Sequence, residues 1–237
     1  MLKNQKIVII GGSSGIGLET AKQLIGEGAE VIIASRSAHK VQQAAALLGP
    51  QASSLTLDTT VEDQVKAFFE RVGRFDHLVV SAAETSGGPF LHTATDQARL
   101  LFDNKFWGQY YAAKYGAPYL SPEGSITLFS GVVAYKSMVG SSVLGAVNAA
   151  VSSLGQTLAL ELAPIRVNIV SPGIIDTPSR SKMPEEARRD LYAAVGGKLP
   201  VKRVGLAGDV ARSVLYLIQN SFVTGTVLHV EGGHLLT

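Results

Sequence analysis

Ile7-Val8-Ile9-Ile10-Gly11-Gly12-Ser13-Ser14-Gly15-Ile16-Gly17 decides the fold: a short apolar strand runs into a glycine-spaced turn and then into an amphipathic helix. Glycine admits positive φ and lets backbone come close to a ligand. The exposed N–H groups and positive end of the following helix then face whatever fills the turn. That arrangement suits a pyrophosphate. Gly11 and Gly15 shape the turn, Ser13, Ser14 and Ile16 complete the phosphate-binding set, and Gly17 lets helix and strand pack closely. Gly17, Ala21, Leu24 and Ile25 fall on one helical face, as a core-facing helix requires. The same glycines in isolation would only close a loop, so the sequence downstream has to decide.

It does so at a second strand, Val31-Ile32-Ile33-Ala34, followed by Ser35-Arg36, with Arg36 19 residues after Gly17. In dinucleotide folds the residue ending the second strand meets the adenosine ribose. An acid there accepts from the 2′-hydroxyl, whereas an arginine accommodates a 2′-phosphate. Residues 34 to 37 contain no acid, so NADP(H) is the expected cofactor rather than NAD(H), with Ser35 and Arg36 at its 2′ end. The alternative for Arg36 is a solvated surface charge.

Composition agrees with one soluble α/β domain of 237 residues. With 21 Lys+Arg against 19 Asp+Glu and no run of like charges, the chain lacks the basic footprint of a nucleic-acid binder. Zero cysteines exclude disulfides, thiolate metal ligation and cysteine nucleophiles; no metal is expected, and a reducing, cytoplasmic location is. Met1 to Lys6 lack a signal-peptide core, and no segment is expected to reach the roughly 18 apolar residues of a membrane span.

Strand-like and helical runs alternate, which predicts a single-domain Rossmann fold, a doubly wound and mostly parallel seven-stranded sheet with helices on both faces. Strands fit near 6–10, 30–34, 54–57, 76–80, 125–129, 166–170 and 226–230. Helices fit near 15–27, 38–48, 61–72, 96–116, 142–162 and 207–219. Residues 174–200, with Met183, Pro184 and Gly196-Gly197, break this rhythm after the sixth strand. In open α/β sheets ligands bind beyond the carboxyl ends of the strands, so this stretch is the natural substrate lid.

Taken together, the chain resembles the short-chain dehydrogenase/reductase family over essentially its full length. The glycine turn is joined by Leu57-Asp58, Asp76-His77-Leu78-Val79-Val80-Ser81-Ala82-Ala83 and Arg166-Val167-Asn168. Pro172-Gly173-Ile174-Ile175-Asp176-Thr177 follows, then Thr224-Gly225 ahead of Glu231-Gly232-Gly233. The resemblance implies that Asp58, with Thr59, meets the adenine, that Ser81, Ala82 and Ala83 line the ribose, and that Pro172, Gly173, Ile175 and Thr177 hold the nicotinamide end. It also implies a homodimer or homotetramer built on helices 96–116 and 142–162 and on the last strand, acting on a small-molecule substrate.

The family's hydride chemistry rests on a serine, a tyrosine and a lysine, usually joined by an asparagine. With Ala149-Ala150-Val151 as anchor, the tyrosine position falls on Leu144, the lysine position on Asn148 and the serine position on Gly131; Asn104 alone keeps its family identity. Leucine has no proton for a developing alkoxide, and neutral Asn148 supplies only hydrogen bonds, here to the cofactor. Substitutes are Ser130, next to the vacant serine position, the loop pair Tyr135 and Lys136, and His92 and Glu84 beyond the fourth strand. Tyr110-x-x-x-Lys114 has the right spacing on the wrong helix. Asn104 and Ser130 are the expected catalytic pair. Two classes of function stay open. One is an NADPH-dependent oxidoreductase acting on a carbonyl or imine-type substrate through a non-standard proton donor. The other is a redox-inactive protein that keeps NADP(H) as a structural or sensing ligand, or uses the pocket for lyase or cyclase work.

Overall fold

The computed structural model describes residues 2–82, 87–181 and 183–237. Its strands and helices in chain order are β1 (Lys6–Ile10), α1 (Gly15–Gly26), β2 (Glu30–Ser35), α2 (Ala38–Leu48), β3 (Ala52–Thr56), α3 (Glu62–Val72) and β4 (Phe75–Val80). They continue with α4 (Thr95–Phe102), α5 (Gly108–Gly116), β5 (Leu120–Phe129), α6 (Ser142–Glu161), β6 (Arg166–Pro172), β7 (Ile175–Asp176), α7 (Glu185–Lys198), β8 (Gly205–Leu206), α8 (Ala207–Gln219) and β9 (Val227–Val230). Seven strands form one sheet in the order β3-β2-β1-β4-β5-β6-β9, and every neighbouring pair is parallel. Fold class and strand number match the sequence reading, and the sheet is wholly rather than mostly parallel.

Parallel strands covered on both faces read as continuous apolar runs because both sets of alternating side chains are buried. In β1, Val8 and Ile10 join one core with Phe69, Leu78, Leu128 and Ile169, whereas Ile7 and Ile9 join the other with Leu24, Ile33, Val170 and Leu217. The first core lies under α3, α5 and α6 and the second under α1, α2 and α8.

Four expectations need correction. The third strand begins at Ala52, two residues earlier than its apolar pattern suggests, because pairing with β2 continues through polar Ser53 and Ser54. Helix 96–116 is interrupted by a π-helical turn, Asp103–Trp107, between α4 and α5. The stretch 174–200, for which no strand or helix was expected, contains β7, paired with β8, and α7 over most of the remainder. Finally, α6 is long and apolar enough to cross a membrane, with a mean hydropathy of 1.4 over its best window. Here it covers the sheet, and Gly155 lies so close to Ile169 and Leu128 that a Cβ would overlap Ile169 at 2.6 Å.

His77 on β4 is buried, with Nδ1 2.8 Å from Ser125 Oγ and Nε2 3.2 Å from Gln5 Oε1. Burial, helped by the Arg166 charge and opposed by Asp76, lowers its pKa from 6.5 to about 4. The unfolded chain therefore binds the extra proton first as pH falls. The stability contributed by neutral His77 is complete above pH 6.5 and drains away towards pH 4, a loss of about 3 kcal/mol. Urea unfolding of the unmodified protein should show this decline, and His77→Gln should flatten it; equal slopes for the two proteins over that range would refute the assignment.

Candidate functional site

The C-terminal ends of the strands open into a cleft of about 660 Å3. The glycine turn forms one wall. Gly11 has φ +91°, and a Cβ there would lie 2.5 Å from Ala82 N; a Cβ on Gly17 would strike the Gly11 carbonyl. These contacts press α1 against the ends of β1 and β4, so only glycine fits at either position. Ser14, the N-cap of α1, makes no side-chain cap bond, and the first turn carries no acid, which leaves the helix N-terminus open to an anion.

The other expected binding residues collect around the same cleft. Ser13, Ser14, Gly15 and Ile16 line it beside Ser35 and Arg36, and Ser81 and Ala82 lie opposite Pro172, Gly173, Ile175 and Thr177. Ser37 and Lys40, absent from the sequence reading, extend the Arg36 end, and among the described residues no Asp or Glu lines the cleft. Thr59 lines it, but Asp58 does not: its Oδ1 accepts from Thr60 N at 3.0 Å and from Thr60 Oγ1 at 2.8 Å, closing a turn. Ala83 and Glu84 lie outside the described residues. Among the described residues of the stretch 174–200, Ile174, Ile175 and Thr177–Ser181 reach the cleft; α7 contributes nothing to its lining.

The alternative acid–base candidates among the described residues are held elsewhere. Tyr135 packs edge-on against His229 at 4.6 Å, and Lys136 Nζ donates to the His234 carbonyl at 2.8 Å, so the C-terminal segment takes both. Tyr110 stacks among Phe106, Trp107 and Tyr111, while Lys114 Nζ sits 3.7 Å from Glu62; neither reaches the cleft. His92 borders an adjoining apolar hollow with Phe90, Leu91, Met138 and Val139.

At the inner end lie Asn104, Ser130, Gly131, Leu144 and Asn148. Ser130 Oγ donates to the Asn148 carbonyl at 2.8 Å and accepts from Ser152 Oγ at 2.8 Å, so its proton is committed to the backbone of α6. Asn104 Nδ2 returns to the Leu100 carbonyl at 2.9 Å. Asn148 Oδ1 is buried without a partner, an acceptor that a ligand hydroxyl would satisfy.

Sequence reasoning missed Lys105. It sits in the π-helical turn, is 3% exposed, lines the cleft, and donates from Nζ to the Ser130 carbonyl at 3.0 Å. Gln109 fixes this turn to β5, bonding the Lys105 and Phe129 carbonyls at 3.0 Å each and accepting from Phe129 N at 2.7 Å. Burial lowers the Lys105 pKa from 10.5 to about 8. Holding it charged at neutral pH costs about 3 kcal/mol of folding stability, which no ion pair with a described residue offsets. The structure places it on one buried helical stripe with Leu101, Asn104, Gly108, Gln109 and Ala112, three of whose six members are polar or charged, so no apolar periodicity marks it in the sequence.

Residues 11–234 match the family described as enoyl-(acyl carrier protein) reductase. Carbonyl reductase family member 4 of Xenopus laevis is 30% identical over 233 residues, covering 95% of each chain. Among solved structures, a small-chain dehydrogenase in complex with NADPH is 40% identical with a TM-score of 0.86, over 98% of this chain and 99% of that one. The MalC reductase/Diels-Alderase of Malbranchea aurantiaca is 29% identical with a TM-score of 0.92, over 100% and 98%.

Proposed function

Because the chain belongs to the short-chain dehydrogenase/reductase family, we propose that it is an NADP(H)-dependent oxidoreductase acting on a small carbonyl or imine-type substrate without the family's tyrosine and lysine. The observation that carries this reading is the single cleft. It joins an open helix N-terminus, an end carrying Arg36 and Lys40, and a polar inner end at Asn104, Lys105 and Asn148.

Bound NADPH supplies the hydride; everything else falls to the chain. The turn from Gly11 to Gly17 takes the pyrophosphate, and Arg36 with Lys40 takes the 2′-phosphate. Ser81 and Ala82 flank the ribose, with Thr59 at the wall where Asp58 was expected. Ile175 and Thr177 hold the carboxamide, and Asn148 Oδ1 accepts from the nicotinamide ribose. Asn104 and Ser130 act through position: one completes the π-helical turn and the other presents its carbonyl to Lys105. Leu144, in place of a proton-bearing tyrosine, keeps that wall apolar.

NADPH titration, followed by a screen of ketones, aldehydes and cyclic iminium ions read at the nicotinamide absorbance band, tests this. Oxidation of NADPH by at least one carbonyl or iminium class is the expected result. Tight binding with no turnover on any class would favour the structural or sensing role. The reading also includes self-association through the α4–α5 helix, α6 and β9, where Trp107 and Leu160 are exposed. Light scattering at micromolar concentration should give a dimer or tetramer, and a monomer would end that part.

A further inference from the structure

Lys105 is a buried cation whose ammonium donates to one neutral carbonyl among the described residues, at the wall of a cleft already lined by Asn104, Gly131 and Asn148. Lysines are almost never this buried unless paired, and a purely structural role of bonding one carbonyl does not require a charge. The elements around it present no titratable side chain to it among the described residues. β5 and the segment after it bring Ser130, α6 brings Asn148 and Ser152, α4 pairs its Asp96 with Arg99 at the surface, and Asp103 on the same turn is exposed. Two N–H bonds of the ammonium therefore remain for a ligand. Beside it, Gly131 carries no side chain, and the Asn148 amide fills the place of the family's serine, its Nδ2 2.7 Å from where a Cβ would lie.

We propose that Lys105 is the proton donor of this site, its ammonium meeting the oxygen or nitrogen of the substrate's C=O or C=N bond. This rests on the oxidoreductase reading above. As hydride reaches the carbon, the π bond breaks and its electron pair moves to the heteroatom. One N–H bond of Lys105 breaks, an O–H or N–H bond forms, and Lys105 is left as the amine, which water reprotonates. The charge that the family carries on α6 is here supplied from the π-helical turn. A pKa near 8 keeps the group protonated at neutral pH yet ready to give the proton up.

Two measurements decide this. The first compares the unmodified protein with Lys105→Met, which retains the volume and removes the charge. Carbonyl reduction should fall roughly 10²- to 10⁴-fold, NADPH affinity should hold, and reduction of a preformed N-alkyl iminium ion, which needs no proton, should change little. In the unmodified protein carbonyl turnover should decline above about pH 8, and this limb should be missing from the residual rate of the variant. Unchanged carbonyl turnover in Lys105→Met would overturn the proposal while leaving the oxidoreductase reading intact. The second measurement needs no turnover. Competitive acetylation with acetic anhydride, read by mass spectrometry across pH, should label Lys105 with an apparent pKa near 8 and be slowed by NADPH. A Lys105 that is unlabelled, or labelled with an ordinary lysine pKa and no protection by NADPH, overturns the proposal. If no substrate is reduced, the oxidoreductase reading fails, and labelling still decides whether Lys105 meets ligands in the cleft.

Discussion

Gly131→Ser, Leu144→Tyr and Asn148→Lys, introduced together into Lys105→Met, are expected to restore ketone reduction by roughly 10²- to 10⁴-fold over Lys105→Met alone, the usual worth of a positioned acid. All three positions line the inner end of the cleft. None should help by itself, because the groups act as a unit: tyrosine needs the ammonium to acidify it and the serine to orient the substrate. The structure adds a steric reason. A Cβ on Gly131 would lie 2.7 Å from Asn148 Nδ2, so Gly131→Ser alone forces that amide aside, whereas Asn148→Lys removes it. The same triple change made with Lys105 retained should gain less. Two ammonium groups would then border Ser130, and each would favour deprotonation of the other. Single-turnover kinetics at the nicotinamide absorbance band, with far-UV circular dichroism and NADPH titration as controls on folding and binding, measures the gain. A folded, NADPH-binding quadruple variant with no increase over Lys105→Met would show that the cleft does not hold a ketone where those positions converge.

NADPH should bind roughly 10- to 150-fold more tightly than NADH, the worth of about 1.5–3 kcal/mol for one charge-assisted hydrogen bond to the 2′-phosphate. Arg36 lies at the end of β2, in the cleft wall that also carries Ser35, Ser37 and Lys40. Among the described residues of that lining no carboxylate is present to favour the free 2′-hydroxyl of NADH, and two cations favour the phosphate. Arg36→Asp should reverse the order, because the new carboxylate accepts from the hydroxyl and repels the phosphate. Lys40→Ala should reduce the preference without reversing it. Isothermal titration with both cofactors reads these ratios, and equal dissociation constants in the unmodified protein would contradict the assignment.

The glycine turn, the strands at 6–10, 76–80 and 166–170 and the Arg36 position follow from the sequence, because each is a local property. An apolar run closed by a glycine that alone tolerates φ +91° can bend the chain in few ways, and a strand buried on both faces is predominantly apolar, as Leu78-Val79-Val80 and Val167, Ile169 and Val170 are. The expectation that Gly131, Leu144 and Asn148 stand at the family's serine, tyrosine and lysine positions likewise needs only residue identities in register. Side-chain placement was not legible. Whether Ser130 faces a substrate or α6, whether Asp58 reaches the cleft or closes a turn with Thr60, and whether Lys136 approaches the site or bonds His234 depend on partners far along the chain. Lys105 is the clearest instance. By composition it is one surface-seeking cation among 21 Lys and Arg, and only the packing of a π-helical turn against the end of β5, clamped by Gln109, buries its ammonium beside those positions. Local sequence fixes backbone course through sterics and hydrophobic periodicity; the direction and charge state of a side chain are set by what tertiary contact leaves around it.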